Sequence, residues 1–113
     1  MKEISNESLK KTLSSSDHRV YITCVGEEGY PNVTVRKVKL VEDTKIEYSD
    51  NANSRTVQLM MKSPKVVVTV INTDDPFHGY KIKGNASFHQ IEEHDNTNKV
   101  MKISITLSDG FLY

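Results

Sequence analysis

Alternation of apolar and polar residues is the dominant pattern in this chain. Over 100–107, Met101, Ile103, Ile105 and Leu107 fall on every second residue, which predicts a half-buried β-strand. Strands are predicted in the same way at 18–25, 46–49, 65–71 and 80–90, each bounded by Gly, Pro, Asn or Asp. Val66, Val67 and Val68 stand in a row, so the strand at 65–71 is expected to be buried on both faces. Residues 32–41 alternate in two phases. Val33 and Val35 share one parity, whereas Val38 and Leu40 share the other, and a β-bulge or bend at Arg36-Lys37 would explain the change.

Helical spacing is confined to two short segments. Ile4, Leu9 and Leu13 predict a thin apolar stripe over 3–15 with Ser5 as cap, and Ser54 caps a second helix carrying Val57, Met60 and Met61 at i, i+3 and i+4. Ser63-Pro64 ends that second helix, because proline disfavours the helical region for the residue before it. Residues 26–29, 42–45, 72–79 and 92–98 read as turns or loops, and Phe111 and Tyr113 lie on a tail where they are expected to pack against something. Six strands on hairpin-length connections, with helices only at the start and after the third strand, predict a mainly β fold, a small antiparallel barrel. Residues 1–113 are expected to form one domain.

Composition narrows what such a barrel does. Hydrophobic residues make up 36% and charged residues 27% of the chain, an ordinary soluble balance for a core small enough to gain from a second copy. Fifteen basic residues offset fifteen acidic ones, which removes the excess positive field that a nucleic-acid binder needs. The lone Cys24 lies in an apolar run and reads as a structural residue in a reducing compartment. No apolar run nears the roughly 18 residues of a membrane helix, and the first residues lack a signal-peptide core; a cytoplasmic, membrane-free protein is expected. His18, His78, His89 and His94 show no metal-ligand spacing, and no catalytic triad or Walker loop is present.

Candidate chemistry gathers where the second helix begins. Its first turn holds Arg55 and Thr56, where the helix dipole would favour an acidic residue. One reading is that Ser54 only caps and Arg55 only reaches solvent. The other is a phosphate cradle of backbone N–H groups, a guanidinium and two hydroxyls, with Arg36 or Lys37 adding charge from a neighbouring strand.

Three blocks, in this order and spacing, resemble the FMN-binding split barrel family, which includes pyridoxamine 5′-phosphate oxidase and small FMN-binding proteins. They are Tyr30-Pro-Asn-Val-Thr-Val-Arg-Lys-Val-Lys-Leu40, Ile46-Glu-Tyr-Ser-Asp-Asn-Ala-Asn-Ser-Arg-Thr-Val-Gln-Leu-Met-Met-Lys-Ser-Pro-Lys-Val-Val-Val-Thr-Val70, and His78-Gly-Tyr-Lys-Ile-Lys-Gly-Asn-Ala-Ser-Phe88. The resemblance implies a six-stranded antiparallel split barrel that binds FMN near the interface of a homodimer. It places Ser54, Arg55 and Thr56 at the FMN phosphate, with Arg36 or Lys37 added, and sets Thr34, Val35, Tyr48, Ser49 and Asp50 beside the isoalloxazine ring. Gly84 matches the family glycine, or marks a strand bulge that allows close packing.

Two departures shape the expected activity. Met60-Met61 stands where the family usually has asparagine-isoleucine, and the chain has no Trp and lacks the family's Trp- and Arg-rich C-terminal region, so oxidation of pyridoxamine phosphate itself is not expected. The expectation is a small flavin-dependent oxidoreductase using NAD(P)H or a small-molecule substrate, with a non-catalytic flavin or heme carrier as the alternative. No side chain declares itself catalytic; Tyr48, Tyr80 and His78 are proton-donor candidates by location.

Overall fold

An apolar strand face is hidden only if its neighbours bring apolar residues opposite it. In the computed structural model, which describes residues 6–14, 18–42, 44–90 and 99–112, β1 (His18–Cys24) and β5 (Lys65–Asn72) do this for each other. Their antiparallel register sets Val20 against Val70, Ile22 against Val68 and Cys24 against Val66, and all six are buried. The other elements are α1 (Asn6–Ser14), β2 (Asn32–Val35), β3 (Lys39–Val41), β4 (Lys45–Asn51), α2 (Arg55–Lys62), β6 (Asp75–Gln90) and β7 (Val100–Leu112). The strands form one antiparallel sheet in the order β2-β1-β5-β6-β7-β4-β3. Its two edge strands, β2 and β3, are joined by residues 36–38 alone, so the sheet must curl until its edges approach: a split barrel.

Seven strands stand where the sequence predicted six, and the difference lies at residues 32–41. The apparent phase break is not a bulge. Burial alternates without interruption from Asn32 to Leu40, with even residues inward and odd residues outward. The chain leaves β1 after Arg36, whose N–H still donates to Val20 O (3.1 Å), and joins β4 at Lys39. The valines change parity because β2 is inverted: it turns Asn32, Thr34 and Arg36 inward and leaves Val33 and Val35 58% and 48% exposed. Beyond the crossover the chain returns to the ordinary pattern, with Val38 and Leu40 against the core.

Other expectations are corrected by the same alternation. Val67 is exposed rather than buried, since β5 hides only Val66, Val68 and Val70. In α2 the buried stripe is Thr56, Val57, Leu59 and Met60, while Met61 faces out. The loop predicted over 72–79 ends early: Asp74 N–H donates to Asn72 Oδ1 (2.9 Å), Asn72 already pairs with Asp75, and β6 starts there. The tail holding Phe111 is no free end, because the backbone of β7 stays paired with β6 as far as Leu112. The cap at Ser5, the turn at 92–98 and Tyr113 lie outside the described residues.

Two features set the shape of the interior. α2 plugs it, with Val57 and Met60 fully buried beside Tyr48, Ile46 and Ile103. At Gly84 the β6–β7 register shifts, and a Cβ there would lie 2.5 Å from Ile105 Cγ2 and 3.2 Å from Thr106 O. Close approach of β7 is therefore why this position is glycine.

Candidate functional site

Because β2 is inverted, its inward side is polar and faces the turn that leads into α2. That turn is built from side-chain caps. Asn51 N–H donates to Asp50 Oδ1 (2.8 Å), Asn53 N–H to Asn51 Oδ1 (2.8 Å), and Gln58 Nε2 to Ala52 O (2.7 Å). Small Asx-type residues supply these bonds, which explains the polar break between β4 and α2. Ser54 Oγ accepts from Val57 N–H (3.1 Å), closing the first turn as its N-cap.

Around this turn the predicted site residues separate into two groups. One is a connected network. Arg36 donates through Nη2 to Asp50 Oδ2 (2.9 Å) and through Nη1 to Thr34 Oγ1 (2.6 Å) and Val35 O (2.8 Å), and Ser54 Oγ also donates to Asp50 Oδ2 (3.1 Å). Arg36 and Ser54 thus meet on the Asp50 carboxylate, with Thr34 joined through Arg36, and the network ties β2, β4 and α2 together. Beside them, Asn32 Nδ2 donates to Thr56 Oγ1 (3.1 Å), and Thr56 is buried. The other group faces outward: Val35, Lys37, Ser49 and Arg55 are exposed, and Tyr48 belongs to the core.

These placements change the phosphate cradle read from the sequence. The anion beside Arg36 and Ser54 is the protein's own Asp50, so neither hydroxyl of the Ser54–Thr56 pair is open to a ligand in this arrangement. Arg55 lies at the far end of β2 from Lys37. It lines a cleft with Glu27, Glu28 and Asn32, and its side chain, 66% exposed, reaches Glu27 Oε2 only at 3.6 Å. What remains for a phosphate is that guanidinium and the first turn itself. The N–H groups of Arg55 and Thr56 have no protein acceptor among the described residues, whereas those of Val57 and Gln58 are taken by Ser54. Two open N–H donors beneath an exposed arginine at a helix start fit a phosphate group.

Two ionisable groups near the site are pushed in one direction by burial. The Tyr48 hydroxyl is held well above its ordinary value by desolvation and then by the Asp50 charge, with Arg36 opposing, and its contact to Met60 Sδ is long (4.0 Å). That environment keeps the phenol neutral inside the core and removes it as a proton donor to a surface ligand. Burial likewise raises the Cys24 thiol, against a hydrogen bond from Asn32 Nδ2 (3.7 Å), as expected of a structural cysteine. His78 sits on an exposed hairpin and contacts Asp75 Oδ2 (2.9 Å). Among the described residues no group of three His, Cys, Asp or Glu is placed to hold a metal, and no helix is long and apolar enough to cross a membrane.

Sequence reasoning missed three residues here: Asn32, Glu27 and Arg19. Asn32, Thr34 and Arg36 form a polar i, i+2, i+4 series, which is the signal that an inward polar face existed. Glu27 acts only through the hairpin turn that brings it to Arg55, and Arg19 only through the crossover discussed below.

The family model of pyridoxamine 5′-phosphate oxidase matches residues 7–105. The chain belongs to this family. Solved structures similar to this member include the HupZ protein of Group A Streptococcus (TM-score 0.76, 16% identity, covering 96% of this chain and 94% of that one). They also include a protein related to general stress protein 26 from Clostridium acetobutylicum (TM-score 0.72, 19% identity, 97% and 90% covered) and an F420 reductase (TM-score 0.71, 12% identity, 89% and 94% covered). At these identities the likeness establishes the split-barrel fold of the pyridoxamine 5′-phosphate oxidase family. No curated protein matches the chain.

Proposed function

We propose that this protein is a homodimeric FMN-binding flavoprotein acting as a small flavin-dependent oxidoreductase. The observation that carries the reading is the first turn of α2, with two N–H donors lacking a protein acceptor below the exposed Arg55, in a chain of this family. Arg55 and these N–H groups hold the phosphate. Val35, Ser49 and the backbone around Thr34 and Asp50 border the ring, while the Arg36–Asp50–Ser54 network keeps β2, β4 and α2 in fixed relation. Bound FMN supplies the redox-active ring; the chain supplies binding, orientation and electrostatics.

The second copy has a natural seat on the outer face of the inverted strand. Val33 pairs with Thr23 and Thr23 with Val67, so one row crosses β2, β1 and β5 with an exposed valine at each end and a half-buried threonine between them, and exposed Val35 with half-buried Tyr21 and Thr69 forms the next row. An exposed apolar face of this kind suits a symmetric partner.

Titration of the apo protein into FMN, followed by flavin fluorescence, tests the reading. Saturable quenching is expected, and Arg55→Ala should raise Kd roughly tenfold to a hundredfold, the worth of one charge-assisted phosphate contact. Its effect on apo stability should stay within about 0.5 kcal/mol, because the ion pair to Glu27 is long and exposed. FMN that keeps its free fluorescence would sink the proposal. Anaerobic mixing of the loaded protein with NADH or NADPH separates a reductase, which bleaches, from a passive carrier, which does not.

A further inference from the structure

The crossover from β2 to β3 creates a second feature that the flavin reading does not use. Where residues 36–38 leave the sheet, a groove of about 940 Å³ opens against the start of β1. His18, Arg19, Val35, Arg36, Lys37 and Val38 line it, and no carboxylate is among its described lining residues. In a chain with fifteen basic and fifteen acidic residues, Arg19 and Lys37 in one groove beside the Asp50-paired Arg36 are a local excess that the global balance conceals.

The three cations are not equivalent. Arg36 is committed, its fork bonded to Asp50, Thr34 and the Val35 carbonyl. Arg19 and Lys37 are exposed and, among the described residues, neither has a carboxylate within salt-bridge reach. Arg19 reaches the groove from the outward parity of β1, and Lys37 from the crossover itself, so two side chains on different elements are available to one ligand. The cleft at Arg55 is different in make-up, with a single arginine and with Glu27 and Glu28 also in its lining. Val35 and Val38 give the groove an apolar wall beside its cations.

We infer that this groove binds the anionic end of a small organic ligand, with Arg19 and Lys37 as the residues that grip its carboxylate or phosphate and Val35 and Val38 contacting its apolar body. A planar guanidinium and a mobile ammonium on facing elements form charge-assisted hydrogen bonds to such a head group, and the low-dielectric wall strengthens them. The inference shares Val35 with the FMN proposal, but its cations lie at the opposite end of β2 from Arg55 and it requires no flavin.

The test is a titration of ¹⁵N-labelled protein with phenyl phosphate, benzoate and inorganic phosphate, followed by amide shifts. Shifts are expected at residues 18–20 and 35–38. Arg19→Gln/Lys37→Gln should weaken the tighter-binding aromatic anion about tenfold or more, and Arg55→Ala should leave its affinity within about twofold. Preference for phenyl phosphate over benzoate assigns a phosphate head group, and the reverse a carboxylate. Equal affinity in the double variant and wild type, or shifts confined to 54–57, overturns the site. Inorganic phosphate binding as tightly as phenyl phosphate overturns the organic body. Both substituted side chains are exposed, so the double variant should keep the wild-type spectrum elsewhere. FMN affinity measured on the same samples separates the two proposals, because failure of wild type to bind FMN ends the flavin reading and leaves the groove result intact.

Discussion

Asp50→Asn should move stability and anion affinity in opposite directions. The substitution is isosteric, and its single amide oxygen, placed where Asp50 Oδ2 stands, still accepts from Arg36 and Ser54 Oγ; the amide nitrogen then takes the place of Oδ1, so Asn51 N–H loses its acceptor and Arg36 loses the charge that faces it at 2.9 Å. The two side chains are 31% and 15% exposed, so the pair lies between a screened surface bridge and a buried one. Hydrogen bonds involving a charged group contribute about 1.5–3 kcal/mol and neutral ones about 0.5–1.5. Exchanging one kind for the other costs about 1 kcal/mol and the lost Asn51 bond about 1 kcal/mol more, and together they should lower Tm by about 8 °C in a domain of this size. In the groove the sign reverses. Asp50 no longer offsets Arg36, so the groove that Arg36 lines gains an uncompensated positive charge, an effect of about 1 kcal/mol for a partly exposed charge in water-accessible surroundings. Allowing for screening, phenyl phosphate should bind roughly fivefold more tightly to the variant. Urea denaturation followed by circular dichroism, with calorimetric titration of the ligand at matched ionic strength, reads both quantities. Stability and affinity falling together would show that Asp50 merely holds the fold and that the field of Arg36 does not reach the groove.

Gly84→Ala should destabilise by about 1–3 kcal/mol in urea, because the new methyl meets the Ile105 side chain in a fully buried position and β7 cannot retreat from it; a cost below about 0.5 kcal/mol would mean that the β6–β7 seam is soft. Tyr48→Phe should be neutral within about 0.5 kcal/mol at pH 7, since the hydroxyl has only a distant sulfur as partner. With the folded hydroxyl raised above its unfolded value of about 10, wild-type stability is fully present below pH 10 and falls as pH rises beyond it. The Phe variant should lose less over that range, and identical alkaline slopes in urea melts would contradict the burial of Tyr48.

The barrel was legible because most strands obey one rule. Met101, Ile103 and Ile105 announced β7 by alternation and the valine run announced β5, while the hairpin-length connections gave the fold class; the apolar parity of β1 and β5 fits their paired faces. The same rule misled where a strand was inverted. Val33 and Val35 looked like a core face out of phase, and a bulge or bend at Arg36-Lys37 was the economical reading of a single chain. The distinction between a bulge and an inverted strand depends on which neighbour lies opposite, and that pairing is nonlocal. Residues 54–56 were identified as a capped helix start, yet their sequence could not reveal that Asp50 would occupy the space between Ser54 and Arg36. Nor could spacing show that Arg55 and Lys37 sit at opposite ends of β2, or that Arg19 would face Lys37 across the crossover. Local chemistry was readable; which charges neutralise one another was decided by the closing of the sheet.

The central claim is that the first turn of α2 grips a flavin phosphate. Parallel fluorescence titrations of the protein with FMN and riboflavin, which differ only in that phosphate, test it most directly. The account predicts that FMN binds at least about tenfold more tightly than riboflavin and that Arg55→Ala removes most of the difference. Equal affinity for the two flavins, or a preference that survives Arg55→Ala unchanged, would contradict it.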